Sequence, residues 1–292
     1  MSTPRPVQLR VGVVGTGRVG SALAVAFQRA GHQVVAVSAV STASRRRAES
    51  LLPTVPVLAP DEVVLAAELV LLTVPDDALR GLVAGLAGTD SWRDGQLVAH
   101  TSGAHGIGIL DPAAARGVIP LALHPAMTFT GRPEDVDRLE GAPFGVTAPD
   151  ELRPVAEALV VDIGGEPVWV SESARPLYHA ALTMGANHLV TLVNDAVEVL
   201  SGAGVEDAAR LIAPLLSASL DNALRLGDAA LTGPVSRADV ATIASHLQTL
   251  RRRAPDTVAA YQAMARRTAE RAAGSGRLSE QQLADVLRVL EG

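Results

Sequence analysis

The chain contains neither cysteine nor lysine, so all 25 basic residues among its 292 are arginines. Without cysteine there can be no disulfide, no thiolate nucleophile and no cysteine-ligated metal. Without lysine, no side chain can form a Schiff base or act as the phosphate-binding lysine of a P-loop. The available proton donors are therefore histidine, tyrosine and water, with serine, threonine and asparagine as neutral hydrogen-bond donors.

Aromatic residues, positive charge and long apolar runs are also scarce. Aromatics are 2% of the chain and the net charge is −6, which argues against a nucleic-acid surface and against general attraction to anionic lipid. No uncharged apolar run approaches the roughly 18 residues of a membrane-spanning helix, and no apolar leader core follows the polar stretch Met1 to Arg10. The seven histidines show no metal-ligand spacing. We therefore expect a cytoplasmic protein without a metal site.

The length and a change of pattern near residue 172 predict two domains, 1–172 and 173–292. In the first, apolar runs alternate with helical periodicities, which predicts βαβ units and a doubly wound, parallel Rossmann sheet in an α/β fold. The predicted strands are 11–14, 33–38, 55–57 (weak), 67–74, 96–100, 118–123, 143–147 and 166–170. The second domain is predicted to be all-α, with helices near 175–201, 205–225, 236–250, 256–272 and 279–290.

A G-x-G-x-x-G sequence, Gly15-Thr16-Gly17-Arg18-Val19-Gly20, follows the first predicted strand and opens the first predicted helix. In this position it indicates a dinucleotide site rather than an ordinary glycine-rich turn. Gly15 would allow the tight turn, Gly17 the approach of the pyrophosphate, and Gly20 the close packing of helix on strand. Val74-Pro75-Asp76 ends a later strand and is expected to line the same crevice.

The residues after the second predicted strand favour NADP over NAD. NAD enzymes place an acidic residue here to bind the ribose 2′-hydroxyl. This chain has hydroxyls and guanidinium groups instead, which suit a 2′-phosphate: Ser38, Ser41, Ser44, Arg45 and Arg46. The alternative interpretation is the solvated, charged start of a helix.

Two further strand ends carry candidates for catalysis, Ser102 in His100-Thr101-Ser102-Gly103 and His124 in Leu123-His124-Pro125. Either side chain could hydrogen-bond a substrate carbonyl, and His124 could deliver the proton that accompanies a hydride. The alternative is that His124 only caps its strand. His100 is interpreted as structural.

A polar stripe lies on the first predicted helix of the second domain, at spacings of three and four residues that place its members on one face: His179, Thr183, Asn187, Thr191, Asn194 and Glu198. Such a stripe either lines a site or forms a polar contact between helices or subunits. We assign Asn187, with His179 as a second candidate, to the same cleft as Ser102 and His124.

Several segments resemble a known bacterial family, the Rossmann-like proteins with a DUF2520 C-terminal domain: 100–104, 123–131, 178–181 and 233–239. More broadly the chain resembles the 6-phosphogluconate dehydrogenase-like superfamily, which includes prephenate dehydrogenase, pyrroline-5-carboxylate reductase and ketopantoate reductase. The resemblance covers nearly the whole chain and implies an NADP oxidoreductase with a helical domain of the 6-phosphogluconate dehydrogenase type. The catalytic lysine of ketopantoate reductase is missing, whereas His124-Pro125 resembles the His-Pro of prephenate dehydrogenase, whose histidine contacts the reacting hydroxyl.

We therefore expect a reductase, or the reverse dehydrogenase, that transfers a hydride between NADPH and a small carbonyl or imine, with 2-oxo acids favoured. The alternatives are a protein that binds NADP as a sensor or scaffold without turnover, and a reductase of a flavin-like acceptor. The alanine- and leucine-rich helices beyond residue 173 predict a homodimer joined through that region.

Overall fold

The computed structural model describes residues 8–292, and most of the polar stretch Met1 to Arg10 discussed above lies outside them. The chain divides into two compact units, of which the first ends at Ala186 and the second is Asn187–Gly292. The domain boundary at residue 172 stays a prediction. No described helix is long and apolar enough to cross a membrane.

A seven-stranded sheet of order β2-β1-β3-β4-β5-β6-β7 forms the centre of the first unit. Its strands are β1 Arg10–Val14, β2 Gln33–Ser38, β3 Leu69–Leu72, β4 Leu97–His100, β5 Ile119–Pro125, β6 Pro143–Thr147 and β7 Glu166–Trp169. The predicted doubly wound Rossmann-type sheet is confirmed. The reversal of strand order falls between β1 and β3, which is where such sheets form a ligand crevice.

Two details of the predicted sheet are wrong. β6 runs antiparallel to β5, because the chain between them has only a one-turn helix, Glu134–Asp137, and not the crossover helix that a parallel connection uses. The weak strand 55–57 is reduced to one bridge between Val37 and Val57, since Pro56 has no N–H to donate to a ladder.

Helices cover both faces of this sheet: α1 Arg18–Arg29, α2 Thr42–Leu51, α3 Pro60–Ala66, α4 Asp76–Gly88, α5 Asp111–Ala114, α6 Glu134–Asp137, α7 Arg153–Asp162 and α8 Arg175–Leu182. Alternate β3 residues enter two separate apolar clusters. Leu69 and Leu71 pack with Phe27 of α1, and Val70 and Leu72 pack with Leu79 of α4. A strand buried on both faces reads as a continuous apolar run, which is the pattern of Leu69–Leu72.

The second unit consists of helices α9 His188–Gly202, α10 Ala208–Leu226, α11 Val240–Arg253, α12 Val258–Gly274 and α13 Glu280–Glu291. N-caps fix several starts, since Asp207, Asp239 and Ser279 accept hydrogen bonds from the backbone N–H three residues later. The last three helices share a buried core around Ile243, Ala269 and Val286. The helix predicted over 175–201 is interrupted by a π-helical segment, Thr183–Asn187, so the polar stripe is divided between α8 and α9.

Candidate functional site

The glycine-rich turn has the geometry that the fingerprint requires. Gly15 has a φ of +102°, and its N–H donates to Ser38 Oγ over 3.0 Å. A Cβ on Gly20 would overlap the carbonyl oxygen of Gly15 and Oγ1 of Thr73. Thr73, which the sequence interpretation missed, donates from that oxygen to the Gly15 carbonyl. The turn is therefore tied to the ends of both neighbouring strands.

Gly17 differs from its neighbours because nothing in the protein occupies the space beside it. A Cβ there would meet no atom within 4 Å, and the residue is the N-cap of α1 without a side-chain cap. The free N–H groups of the first helical turn therefore open onto space that a side chain would fill. A pyrophosphate fits this place, since helix N-termini bind anions.

The loop after β2 has the hydroxyls and arginines expected from the sequence, although with different tasks. Ser41 caps α2 by accepting from the N–H of Ser44, and the buried Ser44 donates its hydroxyl proton back to the Ser41 carbonyl over 2.8 Å. Arg45 lines an adjoining cavity of about 440 Å³ together with Ser38 and Val40. Val40 is 87% exposed at this cavity.

Arg47 is an additional cation, next in the chain to the two arginines that the sequence assigns to the cofactor. Its guanidinium donates to the carbonyl of Thr16 over 3.2 Å. Gly131 brings a third segment to this place, because a Cβ built on it would lie 3.1 Å from Arg47 and 3.2 Å from Arg18. Within residues 8–292, the four arginines 18, 45, 46 and 47 form no ion pair with a carboxylate.

Val74-Pro75-Asp76 lies where the sequence predicts, directly after β3. Pro75 is the N-cap residue of α4 and Asp76 is the first helical residue. Both are exposed, whereas Val74 is half-buried. The segment therefore borders the same edge of the sheet as the glycine turn.

His124 is the centre of a second group of side chains at the end of β5. Its Nδ1 lies 2.9 Å from the hydroxyl of Tyr178, and its ring makes edge contacts with the rings of Tyr178 and His179. Gly103 lies beside the other ring nitrogen, since a Cβ there would lie 2.9 Å from His124 Nε2 and 2.6 Å from His179 Cδ2. The structure thus brings the predicted His124 and His179 together.

Tyr178 and Arg175 are the main residues that the sequence interpretation missed. Arg175 is 0% exposed, and its guanidinium lies 5.9 Å from the centre of the Tyr178 ring. Because they stand at positions i, i+3 and i+4 of α8, Arg175, Tyr178 and His179 share one helix face. The sequence signal for Tyr178 is the Tyr178-His179 pair within 178–181, one of the segments that resemble the DUF2520 family. A stripe of polar residues at helical spacing does not include Tyr178.

Ser102 and His100 form the wall next to this group. His100 donates from Nε2 to the Gly106 carbonyl over 2.8 Å and accepts from the Ser102 N–H at Nδ1. Ser102 Oγ accepts from the N–H of His105 over 3.2 Å, so this buried hydroxyl holds the loop in shape. The interpretation of His100 as structural agrees with these contacts.

Asn187 belongs to the second unit and its side chain is exposed. Its convergence with His124 stays a prediction.

Burial lowers the pKa of two histidines in the first unit, His100 and His124. Desolvation and the nearby Arg175 lower the pKa of His124 to about 4, and desolvation lowers that of His100 to about 4 as well. Burial raises the pKa of the Tyr178 phenol. At neutral pH the imidazoles of His100 and His124 are therefore neutral, the Tyr178 phenol is protonated, and Arg175 is a buried cation. Within the described residues, no group of three or more histidine and acidic side chains could hold a metal.

The comparison with family models covers most of the chain. Residues 1–125 match a Rossmann-like domain, and residues 142–268 match a domain of unknown function, DUF2520. The chain contains a Rossmann-like domain followed by a DUF2520 domain. The resemblance seen in its motifs is thereby confirmed, and no curated protein matches it significantly.

Solved structures share this fold at low sequence identity. A candidate NADP oxidoreductase from Bacteroides fragilis is 22% identical with a TM-score of 0.74, covering 90% of this chain and 98% of that one. An imine reductase from Pseudomonas sp. is 19% identical with a TM-score of 0.67, covering 97% and 99%. A reductive aminase from Aspergillus terreus, in complex with NADPH and ethyl levulinate, is 18% identical with a TM-score of 0.65, covering 96% and 99%. This architecture is the 6-phosphogluconate dehydrogenase-like fold.

Proposed function

We propose that this protein is an oxidoreductase that transfers a hydride between NADPH and a small carbonyl or imine compound, with 2-oxo acids as the first class to test. The observation that carries the proposal is the presence of both parts of such a site in the first unit. The glycine turn with its open space follows β1, and the His124–Tyr178 pair stands at the end of β5. The similar imine reductase and reductive aminase structures agree with this chemistry.

NADP is the proposed cofactor because, within residues 8–292, the arginines beside β2 form no ion pair with a carboxylate. When bound, it would supply a hydride at C4 of the nicotinamide. The first turn of α1 at Gly17 would hold the pyrophosphate, and Arg45 and Arg46 would hold the 2′-phosphate, with Arg47 bound to the turn itself. Charged hydrogen bonds of this kind contribute about 1.5–3 kcal/mol.

Cofactor choice is tested by titrating the protein with NADPH and NADH and following nicotinamide fluorescence. We expect NADPH to bind more tightly, and the double change Arg45→Ala/Arg46→Ala to remove most of the difference. Arg138→Ala, at an exposed arginine elsewhere in the first unit, is the matched control. Equal dissociation constants in the unchanged protein would contradict the assignment.

The pKa of His124 modifies the expected route of the proton. A histidine whose pKa is about 4 is a neutral imidazole at pH 7, so it acts by passing a proton on. With its proton on Nε2, His124 donates to the substrate oxygen while Nδ1 takes the proton of the Tyr178 hydroxyl, 2.9 Å away. The tyrosinate that forms lies close to the buried guanidinium of Arg175, which favours this charge.

Turnover is tested by following NADPH consumption at 340 nm with a panel of 2-oxo acids, aldehydes and imines. For an accepted substrate, we expect His124→Ala to lower turnover by about 10²–10⁴, as general acid–base groups do, with NADPH affinity nearly unchanged. His188→Ala, at an exposed histidine, is the control. Tight NADPH binding without consumption of any compound would favour the alternative of a non-catalytic NADP sensor or scaffold.

We also propose that the protein is a homodimer joined through the second unit. α9 has no buried residue and α10 has only Ala208, although α9 is rich in leucine and valine and α10 in leucine. The large apolar side chains exposed on these two helices are Leu189, Val190, Leu192, Leu211, Leu215, Leu220, Leu224 and Leu226. An apolar surface of this extent is typical of an interface, and a second copy related by two-fold symmetry is the proposed partner.

A further inference from the structure

Arg175 is a buried charge whose partners are all neutral. Its guanidinium donates to Thr147 Oγ1 over 2.8 Å and to the carbonyl oxygens of Gly145, Ala122 and Ser102 over 2.9, 3.1 and 3.2 Å. Within residues 8–292, no carboxylate forms an ion pair with it. A buried charge is costly unless an opposite charge neutralises it. The hydrogen bonds solvate this one, but they leave a full positive charge in the protein interior.

The charge belongs to the group around His124. Gly145, whose carbonyl accepts from Arg175, is paired directly with His124 in the β5–β6 ladder. A Cβ on Gly145 would lie 2.5 Å from the Tyr178 hydroxyl. The guanidinium, the phenol and the imidazole therefore pack as one group, and the field of Arg175 reaches any substrate that contacts His124.

The nearby carboxylates, Asp76 and Glu172, act on His124 less strongly than Arg175 does. Asp76 and Glu172 are exposed, and the Glu172 carboxylate accepts from the N–H groups of Ile107 and Gly108. Arg175 acts more strongly on the pKa of His124 than Asp76 does, and its effect has the opposite sign. His100 and His124 are neutral at pH 7 because their pKa values are about 4. The net field at His124 is consequently positive.

We infer that the site is selective for a carbonyl substrate and disfavours an imine, because Arg175 places an unneutralised cation beside His124 and Tyr178. This inference rests on the proposed function. In carbonyl reduction, the carbon receives a hydride from NADPH, the π electrons of the C=O bond move to oxygen, and the developing alkoxide takes a proton from His124. In imine reduction, the reacting species is an iminium cation, whose carbon receives the hydride while nitrogen becomes a neutral amine.

The two reactions therefore develop charge in opposite directions. A fixed cation stabilises the negative oxygen of the first and repels the positive nitrogen of the second. For unit charges about 7 Å apart and an effective dielectric constant of about 20, each effect is on the order of tenfold or more in rate. Arg175 cannot bind the substrate directly because it is 0% exposed, so its field acts on the reacting bond and not as a clamp for a carboxylate.

The test compares 2-oxopentanoate with 1-pyrroline-2-carboxylate, which share five carbons and a carboxylate and differ in the reacting C=O or C=N bond. We expect kcat/KM with NADPH to be at least tenfold higher for the oxo acid. Binding of the two products to the complex with NADP⁺, measured by calorimetry, gives a readout without turnover. There we expect 2-hydroxypentanoate to bind more tightly than proline, whose nitrogen is cationic.

Variants separate the charge from the hydrogen bonds. Arg175→Gln should lower kcat/KM for the oxo acid at least tenfold and shift the ratio towards the imine, whereas Arg175→Lys should keep the ratio. Arg138→Gln, at an exposed arginine, is the matched control. NADPH affinity and the thermal unfolding transition show whether each variant folds. If Arg175→Gln does not fold, the ratio of kcat/KM values and the product affinities of the unchanged protein decide whether the site prefers a carbonyl.

The outcomes distinguish the inference from the function on which it rests. Reduction of the imine as fast as the oxo acid, or tighter binding of proline, overturns the carbonyl preference and leaves the oxidoreductase assignment intact. NADPH binding with no reduction of either compound and no binding of either product overturns both.

Discussion

Tyr178 is one of only two tyrosines in the chain, and its position beside His124 makes it the proposed source of the proton. Tyr178→Phe keeps the ring that packs on Gly145 and His124 and removes only the hydroxyl. We expect turnover of an accepted carbonyl substrate to fall by about 10²-fold, the lower range for proton-transfer groups, while the NADPH dissociation constant stays within about twofold. Steady-state kinetics and fluorescence titration measure the two quantities.

The other tyrosine provides a matched control. Tyr261 contacts His246 in the second unit over 3.0 Å, so Tyr261→Phe should leave turnover unchanged. It also yields a protein whose only phenol is Tyr178, and absorbance at 295 nm then reports its ionisation. An equal loss of turnover in both variants would contradict the assigned role.

The lowered pKa values of His100 and His124 predict a loss of stability in mild acid. Unfolded histidine titrates near 6.5, whereas both side chains titrate at about 4 in the folded protein. Between these values the unfolded chain binds more protons, so the free energy of unfolding falls as pH falls from 6.5 towards 4 and is fully retained above 6.5. At about 1.4 kcal/mol per pKa unit, each histidine contributes up to about 3 kcal/mol.

Denaturant unfolding at pH 7.5 and pH 5.0 measures this effect. His124→Asn should reduce the difference between the two pH values, because one of the two titrating groups is removed. His188→Asn, at an exposed position, should leave the difference unchanged. The same pH dependence in both variants would show that His124 is not responsible.

At the scale of elements, the turn between β1 and α1 uses glycine for two different reasons. Gly20 allows close packing, and Gly17 leaves space for a ligand. A side chain at position 20 would overlap the Gly15 carbonyl and Thr73, whereas a side chain at position 17 would meet no protein atom within 4 Å. We expect Gly20→Ala to lower stability by about 1–3 kcal/mol through overpacking. Gly17→Ala should leave the unfolding midpoint nearly unchanged and weaken NADPH binding at least tenfold.

Denaturant unfolding measures the stability of the two variants, and fluorescence titration measures their affinity for NADPH. Each variant serves as the control for the other, because both make the same chemical change in one turn. Unchanged NADPH affinity in Gly17→Ala would show that no phosphate approaches that position.

At the scale of the whole molecule, the exposed leucines of α10 predict the state of assembly. Light scattering at micromolar concentration should give a dimer. Leu215→Glu/Leu224→Glu should convert it to a monomer, because the two side chains, 65% and 79% exposed, would become charges in an apolar interface. Leu65→Glu, at an exposed leucine of the first unit, should remain dimeric. A monomeric unchanged protein, or a dimer that survives the double change, would contradict the proposal.

The sequence by itself determined the parts of the protein whose signals are local. Runs such as Leu69–Leu72 are apolar because both faces of the sheet are covered, and Gly15 and Gly20 are glycines because a turn and a close contact require them. Each signal is a short run of residues of one type or spacing, so it is visible as a pattern, and the Rossmann-type sheet followed by helices was predicted from such patterns. The weak strand 55–57 was predicted wrongly because Pro56 has no N–H to donate, and the direction of β6 because it depends on the short chain between β5 and β6.

Only the tertiary structure decided which side chains meet. Arg175 looks like an ordinary surface arginine at the start of a helix, and nothing within its own segment shows that it is buried against carbonyl groups from three other segments. The helical period places Tyr178 off the polar stripe, although in the structure its hydroxyl lies 2.9 Å from His124 of β5. Burial and charge at a site are sums over distant segments, and for that reason the neutral state of His124 could be established only from the fold.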